Sequence, residues 1–170
     1  MTTILNNDLQ FSRISLEDRQ AFLREPDKIL FDAGTEFYKW TSYPLVGRDG
    51  RITPWWSFVI TKRLPSGFVA DGFRESQVYA RRLGVSHRAY QQVRQAVSEN
   101  FNNAMRNLLV VRLKTKVYGL AGPTSGQREF KDPALDNVLL IGGGGQAYLP
   151  GLTLARHIHQ IPAVRLGVFA

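Results

Sequence analysis

The chain has 170 residues, no cysteine, 44% hydrophobic and 21% charged residues, and a formal net charge of +8. That length suits one compact domain, and the composition belongs to globular chains rather than disordered ones. The missing cysteines exclude disulfides, thiolate metal sites and a cysteine nucleophile. No apolar run approaches the roughly 18 residues of a membrane-spanning helix, and Met1 to Gln10 lacks the apolar stretch of a secretory signal.

Residues 1–14 read as a loose leader and 15–170 as a single α+β domain. Ser15-Leu-Glu-Asp18 has the form of a capping box, which predicts a short helix over Leu16 to Arg24, stopped by Pro26. Asp32-Ala-Gly34 is a turn, and the aromatic and β-branched run from Thr35 to Ser42 predicts a strand. After a turn at Val46 to Gly50, Arg51 to Ile60 is a second extended segment, interrupted by Pro54, and Leu64 to Gly67 is a loop. Asp71 to Leu83 predicts a helix ended by Gly84. Ser86 caps a longer one, on which Tyr90, Val93, Val97, Phe101, Met105 and Leu108 recur every three or four residues. Asn107 to Leu120 is β-rich and reads as a strand. Gly122 to Asp136 is a polar loop, and Val138 to Ile141 and Gln146 to Leu149 are short strands either side of the glycine run Gly142 to Gly145. Thr153 to Gln160 predicts a last helix with Thr153 as its cap, and Val164 to Phe169 a last strand. The expected architecture is a small bent or split β-sheet with a central pair of helices.

The charge is unevenly placed. Between Thr61 and Tyr118 stand eleven basic residues against three acids, so this segment holds the whole excess and the rest of the chain is neutral. Such a segment attracts a polyanion: nucleic acid, an acidic protein acceptor or a phosphate-rich ligand. A solvated, arginine-rich helical face is the plain alternative.

Three clusters could carry chemistry. Four consecutive glycines cost backbone entropy, and that cost is understandable where backbone must approach a ligand closely or curl N–H groups around a phosphate. The run is neither a Walker loop, since no Lys-Ser/Thr follows, nor a dinucleotide fingerprint, since its context is strand to strand. A flexible hairpin tip is the other reading. The second cluster joins Phe37-Tyr-Lys-Trp-Thr-Ser42 to Ile52-Thr-Pro-Trp-Trp-Ser57. Adjacent strand residues face opposite ways, so one of Trp55 and Trp56 can line a groove and stack on a flat ring. An aromatic core would explain the same residues. The third is Gln127-Arg-Glu129 in the polar loop. His157 and His159 point apart on the predicted helix, so no metal site is expected.

These pieces together resemble the ADP-ribosyltransferase and NAD-glycohydrolase toxin superfamily. The carriers are Gly34-Thr35-Glu-Phe-Tyr-Lys39, Thr53-Pro-Trp-Trp-Ser57, and Gly142 to Gln146 leading into Tyr148. The resemblance implies a bent sheet that pinches NAD in a cleft, with NAD as substrate, no metal, and toxin or effector activity. It implies binding by Lys39, Thr41, Trp55, Trp56, Ser57, Gly143, Gly144, Gly145 and Tyr148, with Gln146 fixing the ribose. Lysine stands here where arginine is usual, and Gln146 where a transferase carries glutamate. Glutamine can hydrogen-bond the ribose but supplies no charge to an oxocarbenium-like transition state. That favours glycohydrolysis, or moves the catalytic acid elsewhere, with Glu129 the nearest candidate. The expected setting is cytoplasmic, without membrane contact, or inside a target cell reached through a specialised secretion system.

A different class fits the middle of the chain. Tyr79-Ala-Arg-Arg-Leu83-Gly-Val-Ser86-His-Arg-Ala-Tyr90 has the spacing of a helix-turn-helix, within a unit spanning residues 76–107. Arg81, Arg82, Arg88, Gln91 and Arg94 would then meet DNA, with Arg88, Gln91, Gln92 and Arg94 facing the major groove. A non-catalytic interaction module would use the same basic helices and tryptophans.

Overall fold

The computed structural model describes residues 3–94, 107–126 and 143–167. Within them the chain is a mixed α/β structure dominated by antiparallel pairing. Its strands are β1 Asp27–Phe31, β2 Glu36–Thr41, β3 Trp55–Phe58, β4 Lys62–Arg63, β5 Val69–Ala70, β6 Asn107–Leu113, β7 Val117–Pro123, β8 Gly145–Tyr148 and β9 Ile158–Ile161. Seven form one sheet in the order β1-β7-β8-β3-β2-β6-β9, and β4 and β5 make a separate hairpin. The helices are α1 Leu16–Gln20, α2 Phe73–Arg82 and α3, described over His87–Arg94.

The sheet is joined through its middle strand, β3. Trp55 and Trp56 of β3 pair with Tyr148 and Ala147 of β8, whereas Ser57 and Phe58 pair with Tyr38 and Phe37 of β2. Each half of a four-residue strand therefore serves a different neighbour. Side chains alternate across the strands, so both faces are used. Phe31, Phe37, Trp56, Phe58, Val111 and Leu149 belong to the main core. On the other face Phe22, Leu120 and Tyr148 form one cluster, and Tyr38, Phe73 and Val110 another, which seats α2.

Several local expectations hold. Ser15 Oγ accepts a hydrogen bond from the Asp18 amide at 3.1 Å, as a cap should. Gly34 and Gly84 both take positive φ, 91° and 69°, which ends the turn before β2 and the end of α2. The central pair of helices is present, joined by Leu83 to Ser86.

Others are corrected. Helix α1 stops at Gln20 rather than Arg24, because the next residues bond to the end of β7: the Leu23 amide to the Pro123 carbonyl, and the Ser125 amide to the Ala21 carbonyl. The run from Asn107 to Leu120 is two strands with a turn between them, not one. No helix spans Thr153 to Gln160. Thr153 does cap a turn, accepting from the Arg156 amide at 3.2 Å, but Ile158 is buried opposite Leu113 as β9 joins the sheet edge. Nor is there a strand from Val164: Ala163–Leu166 is a 3₁₀ turn closed by Gly167 at φ 73°. Strand β1 had no counterpart in the sequence reading. The segment read as a loose leader is stitched down over its described part, with Asn6 Nδ2 donating to the carbonyls of Tyr118 and Pro150 at 3.1 and 2.8 Å, and Leu9, Phe11 and Ile14 packed on Phe22 and Tyr148. Val138 to Ile141, and the part of the apolar stripe from Val97 to Met105, lie outside the described residues.

Candidate functional site

The three motif segments of the sequence, about 110 residues apart at their extremes, land on three neighbouring strands, β8, β3 and β2. Lys39 donates to Thr53 Oγ1 at 3.0 Å, tying the Gly-Thr strand to the segment that enters β3. Trp56 is 2% exposed in the main core, its indole N–H held by the Thr53 carbonyl at 2.9 Å. Trp55 emerges on the other face, where its ring lies 4.6 Å from that of Tyr148 and 5.5 Å from that of Phe22. Ser57 and Thr41 are both buried, and Thr41 Oγ1 accepts from the Tyr43 amide.

Gln146 is 6% exposed. It leaves β8 on the face of Tyr148, and its amide nitrogen donates to the Ala21 carbonyl at 2.9 Å. Tyr148 donates to Asp18 Oδ2 at 3.0 Å, and burial, reinforced by that carboxylate, pushes the phenol up to about 12. Alternation puts Lys39 on the opposite face, that of Phe37. The sheet thus brings the motif strands together but turns Lys39 and Gln146 to different sides.

The glycine run makes a second site, against the helices. The Gly143 amide bonds to the Thr124 carbonyl at 2.7 Å and the Gly144 amide to the Arg94 carbonyl at 3.1 Å, while the Arg94 guanidinium donates to the Gly143 carbonyl at 3.0 Å. A Cβ on Gly145 would overlap Ala70 of the hairpin. Close approach therefore explains Gly145, and Gly143 takes φ 81° against the Arg94 guanidinium; the approaching groups are protein, α3 on one side and β5 on the other. The Gly143 and Gly144 amides point at carbonyls, so a phosphate here would be met first by Arg94.

Between the run and the helices lies a cleft of about 60 Å³ lined by Phe68, Asp71, Ser76, Tyr90, Gln91 and Arg94 with the glycines. It has room for one small polar group, not a whole dinucleotide. Burial raises the Asp71 carboxyl, Arg94 opposes that, and Glu75 adds to it. Burial also raises the Tyr90 phenol, with Arg94 again opposing and Asp71 reinforcing. The sequence marks Asp71 only as a helix start and Tyr90 only as part of an apolar helix stripe, neither as a site residue. The one available signal was that Asp71 is among only three acids in the basic segment.

Beside the cleft, His87 joins α3 to the sheet: Trp40 Nε1 donates to His87 Nδ1 at 3.0 Å, and His87 Nε2 lies 2.7 Å from Ser76 Oγ. Burial holds this imidazole down at about 4, and burial raises the Tyr38 phenol that lies 3.5 Å from the same serine.

On the outer side of the helix pair, Arg81, Arg82 and Arg88 are exposed. Gln91, 6% exposed, and Arg94 face the cleft instead. Glu129 and Gly142 lie outside the described residues. Among the described residues no group of three or more His, Asp or Glu could hold a metal ion, and no helix is long and apolar enough to cross a membrane. No family model, curated protein or solved structure matches the chain.

Proposed function

We propose that the protein cleaves the nicotinamide–ribose bond of NAD, as a glycohydrolase or a mono-ADP-ribosyltransferase. The observation that carries this reading is the adjacency of β8, β3 and β2: the three segments of the toxin-superfamily resemblance, scattered in sequence, are neighbours in one sheet. The division of β3 between two partners supports an ADP-ribosyltransferase-like split sheet.

NAD approaches the open side of the glycine-run cleft, with its nicotinamide-bearing ribose at the mouth. Arg94 holds the pyrophosphate, since a guanidinium has five N–H donors and the bond to Gly143 uses one. Gln146, next after the glycines, reaches the ribose by exchanging its bond to Ala21. The acceptor is water or a macromolecule drawn to the basic surface. Nicotinamide release from NAD by the purified protein, with and without cell lysate, tests this. Release by protein alone makes it a glycohydrolase, release only with lysate a transferase, and no release in either ends the reading.

A second reading rests on one observation: Arg81, Arg82 and Arg88 stand exposed on a helix pair of helix-turn-helix form. With Gln91 and Arg94 turned inward, base reading by α3 loses two of its candidate side chains. This surface then binds nucleic acid through phosphates, without sequence preference.

A further inference from the structure

Breaking the nicotinamide–ribose bond moves charge. The bonding pair leaves with the ring nitrogen, which neutralises the pyridinium, and positive charge develops on C1′ and the ribose ring oxygen. Water then adds to C1′ and loses a proton, giving nicotinamide, ADP-ribose and H⁺. A negative charge fixed beside the ribose stabilises that transition state more than the ground state. Gln146 cannot supply it: an amide is neutral, and its nitrogen donates to the Ala21 carbonyl.

The cleft does contain such a charge. Asp71 is the only acid among its described lining residues and faces the only cation, Arg94. Its backbone is fixed from both sides. Ala70 is fully buried before it. After it, the Gly72 amide bonds to Thr61 Oγ1 at 2.9 Å and the Phe73 amide to the Val59 carbonyl at 2.9 Å. A Cβ on Gly72 would meet the Thr61 nitrogen at 2.5 Å, so even a methyl group is excluded there. A carboxylate held this way needs little reorganisation when charge develops in front of it.

Resting on the reading above, we infer that Asp71 is the carboxylate that faces the cationic ribose when the glycosidic bond breaks, in the role the family's glutamate would otherwise fill. Burial and Glu75 raise the Asp71 carboxyl, and Arg94 across the cleft opposes them.

The test compares NAD hydrolysis by the wild-type chain, Asp71→Asn and Asp71→Ala, with NAD binding followed by tryptophan fluorescence and folding by circular dichroism. Asp71→Asn is expected to bind NAD within a few-fold of wild type while kcat falls about a hundredfold or more. Added formate is expected to restore part of the rate to Asp71→Ala by refilling the vacated space with a carboxylate. A purely structural role would not respond to formate. An active wild type with kcat little changed in Asp71→Asn, or a loss confined to KM, or no formate rescue, overturns the assignment and leaves NAD cleavage standing. A wild-type chain that releases no nicotinamide overturns both.

Discussion

The proton between His87 and Ser76 belongs to the histidine. A tryptophan N–H can only donate, so Trp40 makes His87 Nδ1 an acceptor, and the neutral ring must carry its hydrogen on Nε2. Ser76 Oγ therefore accepts that hydrogen at 2.7 Å and donates its own to the Phe73 carbonyl at 2.9 Å. A nucleophilic serine needs the opposite polarity, with the imidazole accepting. The pair is a structural clasp between the helix corner and β2.

That clasp predicts an acid-sensitive fold. The folded imidazole is held at about 4, whereas an unfolded chain's imidazole takes its proton near 6.5. Between about pH 6.5 and 4 the unfolded state binds more protons, so stability is expected to fall as pH drops through that window. His157, also lowered by burial and by Arg156, adds a smaller slope. His87→Gln keeps an acceptor for Trp40 and a donor for Ser76 but does not titrate, so it should fold at neutral pH and lose most of that slope. His87→Ala leaves both partners unpaired and is expected to cost about 2–4 kcal/mol. Melting temperatures from pH 4 to 7 check both.

The glycines separate by cause. A methyl group on Gly145 overlaps Ala70, so Gly145→Ala should destabilise by several kcal/mol or prevent folding. Gly34 has open space but φ 91°, so Gly34→Ala should cost only about 1–2 kcal/mol of backbone strain. At Gly122 the nearest atoms to a Cβ lie at 3.4 Å, ordinary contact, and Ala there should be nearly neutral. Chemical denaturation of the three variants gives the order directly.

What the sequence made legible was local. Ser15, Gly34 and Gly84 mark their turns and caps because the chemistry involves residues three or four apart. Strands β1 and β9 escaped because partners far along the chain create them. Asp27–Phe31 is a strand through its five-residue pairing with Tyr118 and its neighbours, and Ile158 is drawn from a capped turn into the sheet by Leu113. The candidate site behaves the same way. Four glycines announce a close approach, but nothing near them names Arg94 or Ala70 as what approaches. Asp71 and Tyr90 become site residues only once the hairpin and α3 meet.

The basic surface predicts a salt effect. Replacing Arg81, Arg82 and Arg88 with glutamine leaves the cleft residues untouched. If the outer face of the helices binds a polyanion, the slope of log affinity against log salt should fall by about 2–3, with nicotinamide release by the protein alone unchanged. Heparin or duplex retention across a salt series measures it.

Gln146 is the residue on which a structural and a catalytic role must be separated. Its amide is a second donor, beside the Ser125 amide, to the Ala21 carbonyl just after α1, so Gln146→Ala leaves that carbonyl paired and should cost only about 0.5–1.5 kcal/mol for the one hydrogen bond lost. Tyr148→Phe loosens the same region by removing the bond to Asp18, at about 1–2 kcal/mol, without touching Gln146. A purely structural glutamine makes the two variants alike in activity once both are measured well below their melting temperatures. A glutamine that fixes the ribose makes Gln146→Ala alone lose turnover, while Tyr148→Phe stays active. Gln146→Glu adds a carboxylate that cannot donate to Ala21 when ionised, so it should destabilise more than Ala does and restore no turnover unless the side chain swings to the cleft. Nicotinamide release alongside a thermal melt for each variant decides between the two roles.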